Sequence, residues 1–172
     1  MITQAQQQHI ISQTDHAISR AADYYNIKLP PIPVLFDLKG RAAGMYRVRG
    51  RQRVIRYNLA IFSRYFDDNI ENTVPHEVAH YVTDMLWGLR KIRPHGKEWK
   101  QVMHALGATP EVTCRYDLSG MQLRKQQRYP YQCDCTLHAL SAVRHNRICQ
   151  GKMHYRCRQC GGTLKPSIAD AA

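Results

Sequence analysis

The sequence predicts an α+β protein: one main domain of helices packed with a small sheet, followed by a small module held together by metal. Three observations carry that prediction. His76-Glu77-Val78-Ala79-His80 forms an H-E-x-x-H motif inside a stretch of helical periodicity. Residues 45–48 and 53–57 alternate in β fashion around Gly50. Paired cysteines, Cys133 with Cys135 and Cys157 with Cys160, stand in a tail with few large aliphatic side chains. The expected division is a main domain over residues 1–128 and the module over 129–172, sizes that 172 residues can support.

In chain order, Ile10, Thr14, Ala17, Ile18, Ala21 and Tyr25 recur at helical spacing and predict an amphipathic first helix. Its Gln-rich start predicts fraying over residues 1–8. Pro30, Pro31 and Pro33 forbid helix and lead into an extended run, 34–38, expected as the first strand. The runs around Gly50 predict a β-hairpin, and the shared parity of Arg47, Arg49, Arg51 and Arg53 predicts one arginine-rich face. Residues 58–62 read as the start of a short helix. Asp67, Asp68 or Asn69 is expected to cap the helix that follows.

That helix is anchored by Val74, Val78, Tyr81, Val82 and Met85, the pattern of a buried face. Four residues turn a helix through about 400°, so His76 and His80 leave one face a single turn apart. One metal ion can meet both rings, and Glu77, about 100° round, can reach a water on that metal without being a ligand. Pro75 is expected to force a kink or a late helix start, and Gly88 to end the helix. Trp99, Val102, Met103 and Leu106 mark another amphipathic helix, closed by Gly107. Residues 109–129 give no clear element.

Composition bounds the rest. A mean hydropathy of −0.51, with no apolar run near the roughly 20 residues of a membrane helix, excludes a helical membrane span. The start lacks a basic n-region and apolar h-region, so a cytoplasmic location is expected. In such a reducing compartment close cysteine pairs point to metal rather than disulfides. Cys114 and Cys149 are left over and read as small buried or half-buried hydrophobes. The formal charge of +12 is uneven: residues 67–84 hold five acids and no Lys or Arg, residues 41–56 six arginines and no acid, and residues 121–165 nine basic side chains against Asp134 alone. That distribution favours a polyanion such as DNA as partner.

A catalytic zinc keeps three protein ligands and one open position. After His80, spacing offers two candidates for the third, Glu98 and His95, and does not choose between them. The residues 74–80, then Pro94-His95-Gly96-Lys97-Glu98-Trp99, then the Cys/His module with Val143-Arg144-His145-Asn146-Arg147, resemble the bacterial SprT family. That family is similar to the protease domain of Spartan, a DNA-dependent repair protease. The resemblance implies a minimal zincin-like domain, a small antiparallel sheet packed on the H-E-x-x-H helix. It also implies a catalytic zinc held by His76, His80 and His95 with Glu77 as base, making the chain a zinc metallopeptidase. Glu98 then becomes a neighbour orienting an imidazole.

The module is expected to be a zinc ribbon with a second, structural zinc. Cys157-Arg158-Gln159-Cys160 supplies one C-x-x-C half-site. For the other, Cys135 with His138 reproduces the spacing, while the echo of Tyr131-Gln132-Cys133 in Tyr155-Arg156-Cys157 makes Cys133 a nearly equal candidate. Arg144, Arg147, Arg156 and Arg158 are candidate DNA contacts, with Tyr129, Tyr131 and Tyr155 available for base stacking. Two functions are therefore expected to compete: an endopeptidase cutting proteins bound or crosslinked to DNA, and a nucleic-acid-binding regulator with little or no protease activity.

Overall fold

The helix carrying the motif is central to the main unit. The structure, a computed structural model, describes residues 2–112, 116–121 and 127–167, and the chain divides into two compact units, Met1–Leu123 and Arg124–Ala172.

In the first unit, α1 (Gln4–Tyr25) buries Ile10, Thr14, Ala17, Ile18 and Ala21. It starts earlier than its Gln-rich sequence suggests. Thr3 and Gln6 form a reciprocal capping box, Gln6 N–H to Thr3 Oγ1 at 3.2 Å and Thr3 N–H to Gln6 Oε1 at 2.9 Å, which satisfies donors that would otherwise fray the end. The proline segment leads into β1 (Val34–Leu35), shorter than the expected 34–38. β2 (Gly44–Arg49) and β3 (Gln52–Tyr57) form the hairpin, turning at Gly50, whose φ of 59° suits glycine.

The sheet order is β1-β3-β2, with β2 antiparallel and β1 parallel to β3. It is thus mixed, not the antiparallel sheet expected. The chain reverses between β1 and β2 and again at the hairpin, so β3 enters beside β1 in the same direction. The arginine-rich face also needs correction. Register pairs Arg47 with Val54 and Val48 with Arg53, so the two-residue turn exchanges parity between strands. Arg47 and Arg49 lie on the outer face, whereas Arg53 shares the inner face with buried Ile55 and Tyr57.

Asn58 caps α2 (Leu59–Arg64) through Oδ1 and ties Nδ2 to the carbonyls of Gly40 and Ala42. After the single turn of α3 (Phe66–Asp68) the backbone widens into a π-turn, Asn69–Thr73, and continues directly into α4 (Val74–Trp87). No Asp67 or Asp68 side chain caps α4; the chain is already helical there. The π-turn accounts for Pro75. Val74 N–H reaches back five residues to Asn69 O, so Pro75 falls in the first turn of α4, where its missing donor costs little. Asn69 Nδ2 to Tyr65 O (2.6 Å) and Thr73 Oγ1 to Asn69 Oδ1 (2.7 Å) staple the wide turn.

Val74, Val78, Ala79, Tyr81 and Val82 of α4 join Ile10, Ala17 and Ala21 of α1 and Trp99, Val102 and Met103 of α5 (Lys97–Ala105) in one core. Each large apolar side chain fully buried there contributes about 1.5–3 kcal/mol. The buried run of α4 ends at Asp84, and Met85, expected on the same face, is exposed. Gly88 ends the helix.

The second unit is an antiparallel sheet, β4 (Arg128–Gln132), β5 (Leu137–Ser141) and β6 (Lys165–Pro166) in the order β5-β4-β6, with a helix α6 (Ala142–Cys149) that the sequence did not announce. Among the described residues its buried core is Tyr131, Leu140, Cys157 and Leu164, with Tyr129, Cys133, Ile148 and Tyr155 packed against it, little apolar area to offset the entropy of ordering such a unit. Among the described residues no helix is long and apolar enough to cross a membrane.

Candidate metal centre

α4 presents His76 and His80 one turn apart, and the loop after it brings in His95. The three Nε2 atoms converge: His76 to His80 at 3.3 Å, His80 to His95 at 3.1 Å, His95 to His76 at 3.1 Å. Imidazole nitrogens held tetrahedrally at ~2.0–2.1 Å from one zinc stand roughly 3.3 Å apart, so the triad has the dimensions of a zinc face. Burial also favours the uncharged form of all three rings. Burial, with the charge of His95 added, pushes His76 down to about 4; burial, with His76 and His95, pushes His80 down to about 3. Three imidazole nitrogens converging on one point, where burial disfavours their protonation, suit a cation between them.

The supports of the triad are local. The Glu111 backbone beside His76 works against the lowering of that ring's pKa, favouring its charged form. His95 adopts φ 56°, a left-handed conformation rare for a residue with a side chain. The turn closes through Gly96 N–H to Arg93 O at 2.9 Å, and a Cβ at Gly96 would lie 2.8 Å from that carbonyl. Beneath the rings lies Trp99, 1% exposed, its ring centroid 4.8 Å from His76, 5.7 Å from His80 and 4.8 Å from His95. Its role as the floor of the triad was missed: periodicity marked it only as core. The available signal was its position four residues after His95, one turn into α5. Glu98 is not brought to the cluster; its carboxylate lies beside Gly96 and 4.0 Å from Lys97.

Glu77 is 6% exposed and accepts the Tyr46 N–H on Oε2 at 2.6 Å. Burial pushes its carboxyl up to about 7, against the pull of that N–H. β2 passes very close: a Cβ at Gly44 would lie 2.6 Å from Glu77 Cγ. A cleft of about 160 Å³ opens beside His76 and Glu77, bounded by Arg41, Gly44, Thr73, Val112 and Tyr116.

In the second unit Cys133, Cys135, Cys157 and Cys160 bring their sulfurs within 4.8 Å of one another. Where spacing favoured Cys135 with His138, the structure gathers Cys133 with Cys135, 3.4 Å apart, and sets His138 Nε2 beside Cys133 at 3.3 Å. The physical reason is the turn between β4 and β5: both cysteines sit on it, whereas His138 is held in the ladder opposite Tyr131. Each of the two clusters can hold a metal ion, and their donor types are those zinc takes.

Arg144, Arg147, Arg156 and Arg158 are all exposed, Arg144 lying over the Tyr155 ring at 5.5 Å. Of the expected stacking tyrosines, Tyr131 is instead core, 1% exposed, with its hydroxyl 3.1 Å from His145 Nδ1. Tyr129 is stacked on His145 at 3.7 Å. Cys149, expected at least half-buried, is exposed at the end of α6, and Cys114 lies outside the described residues.

Fold and site together define an α+β protein with three converging histidines that could hold a metal ion, a buried glutamate beside them, and a four-cysteine cluster that could hold another. The chain belongs to the SprT-like family, whose model matches residues 8–118. Protein SprT of Vibrio atlanticus (strain LGP32) is 33% identical over 160 residues, covering 92% of each chain. Protein SprT of Serratia proteamaculans (strain 568) is 32% identical, covering 94% of this chain and 91% of that protein. For Protein SprT of Pasteurella multocida (strain Pm70) the figures are 34%, 93% and 96%. No solved structure matches the chain.

Proposed function

We propose that this chain is a zinc-dependent endopeptidase of minimal zincin-like fold that cuts proteins bound or crosslinked to DNA. The observation that carries the reading is the convergence of His76, His80 and His95 at zinc-site spacing with buried Glu77 next to them. Bound there, zinc supplies Lewis acidity and lowers the pKa of a coordinated water toward about 7. Glu77 takes a proton from the attacking water and returns it to the departing amine nitrogen. The Tyr46 N–H holds one oxygen of Glu77, so the carboxylate is aimed before substrate arrives. β2 is a sheet edge and Gly44 borders the cleft, which supports an extended peptide pairing along that strand.

The four thiolates hold a second, structural zinc, a closed set that cannot activate water. His138 stands outside it, contacting Cys133. Cys133→Ala is therefore expected to release one zinc per chain and unfold the ribbon, whereas His138→Ala retains the metal. Zinc analysis after dialysis separates the two; loss from the His138 variant alone would make His138 a ligand.

Arg144, Arg147, Arg156 and Arg158 on the ribbon, with Arg47 and Arg49 on the hairpin, support DNA as the partner that gathers substrate. The test is cleavage of a protein crosslinked to single- or double-stranded DNA. Cleavage is expected only with DNA present, to vanish with a chelator and to return with added zinc. DNA binding with a steep salt slope but no cleavage on any DNA form would favour the regulator instead.

A further inference from the structure

Tyr46 ties β2 to α4 at two points. Its N–H donates to Glu77 Oε2 at 2.6 Å, and its phenol donates to Asp84 Oδ2 at 2.7 Å. Glu77 and Asp84 are seven residues apart, hence two turns along one face of α4. Asp84 is itself held from two further sides. Arg53 Nε donates to the same Oδ2 at 2.6 Å, and Leu89 N–H donates to Oδ1 at 3.2 Å. Its side chain is 7% exposed. Arg53 lies opposite Val48 across the hairpin, so both strands are fastened to one carboxylate.

β2 is an edge strand: among the described residues its one strand neighbour is β3. Tyr46 N–H points to Glu77, away from β3, while the alternation of an antiparallel pair turns the amides of Met45 and Arg47 toward β3. The amide of residue 46 thus has Glu77 as its partner and no strand. Gly44 sets the distance: a Cβ there would meet Glu77 Oε1 at 2.7 Å and Thr73 Cγ2 at 2.7 Å, so any sliding of β2 is felt at Glu77.

We propose that Asp84, acting through the Tyr46 hydroxyl and Arg53, is a positioning residue for Glu77: it seats β2 so that the Tyr46 amide holds Oε2 and leaves Oε1 for proton transfer. The proposal rests on reading Glu77 as the base. A peptide pairing along β2 would otherwise compete for the Tyr46 amide; with β2 clamped, that amide stays with Glu77 and the peptide is left the remaining edge groups.

The test uses the zinc-loaded full chain and two near-isosteric variants, Tyr46→Phe and Asp84→Asn, read by amide hydrogen exchange at residue 46 and by steady-state cleavage. Both variants are expected to speed exchange at residue 46 by roughly tenfold while Met45 and Arg47 amides keep their wild-type rates. Both are expected to lower kcat by roughly tenfold, about 1.4 kcal/mol, with KM and zinc content unchanged. A lower melting temperature with wild-type exchange at residue 46 and wild-type kcat would overturn the proposal, since a merely structural tether gives that result. If Asp84→Asn does not fold, Tyr46→Phe, which removes one oxygen atom, carries the test. If the wild type cleaves nothing, the endopeptidase reading fails, and the exchange measurement still decides whether the clamp holds the Glu77 contact.

Discussion

Glu77→Gln is expected to lower kcat by about 10²–10⁴-fold, the usual worth of a general base, while both metal clusters keep their zinc. Glutamine has the same shape, and its carbonyl can still accept the Tyr46 N–H that glutamate accepts at 2.6 Å. What it cannot do is take a proton. The measurement is turnover and zinc content on the same preparation; cleavage persisting at wild-type rate would remove Glu77 from the chemistry. Stability supplies an internal control on the zinc-free protein. Burial raises the Glu77 carboxyl from 4.5 to about 7, so folding favours its protonated form, and that stabilisation is lost as pH rises toward and through 7. The Gln variant carries no such charge. Its melting temperature should match the wild type in acid and exceed it above neutral pH.

The second large effect is at the third ligand. His95→Ala is expected to lose the α4-side zinc and all cleavage, with affinity falling by more than the roughly 10–100-fold that loss of an outer partner costs. Glu98→Ala should keep the metal, because its carboxylate lies by Gly96 and Lys97 rather than at the triad. Zinc titration of the two variants side by side decides it. Metal lost only from the Glu98 variant would overturn the assignment. The backbone adds to the argument: His95 is held at φ 56° by a turn that Gly96 closes, and such strain persists where the surrounding structure imposes it.

Helical periodicity made α4 legible in advance, since His76 and His80 four residues apart on an amphipathic run must share a face. The hairpin was legible from its alternation around Gly50. Its faces were not, because parity crosses a two-residue turn and sends Arg53 inward to Asp84. Pro75 looked misplaced until the π-turn before it showed where the α register begins. In the second unit, spacing named Cys133, Cys135 and His138 and favoured Cys135 with His138, but it could not show that both cysteines sit on the turn while His138 is held in the β5 ladder.

By itself the sequence determined the local chemistry: the two histidines and glutamate on one helix, the C-x-x-C half-site, the uneven positive charge and the α+β alternation of elements. These follow from periods of 3.6 and 2 and from spacings of a few residues, which the backbone enforces without help from distant contacts. Tertiary structure alone decided the rest. It brought His95 fifteen residues along the chain to within 3.1 Å of His80, slid Trp99 under the triad, laid β2 against Glu77, and fastened that strand through Tyr46 and Arg53 to Asp84. Those contacts depend on loop paths and strand order. They are set by how separate elements bury their apolar faces together, and no local spacing encodes that.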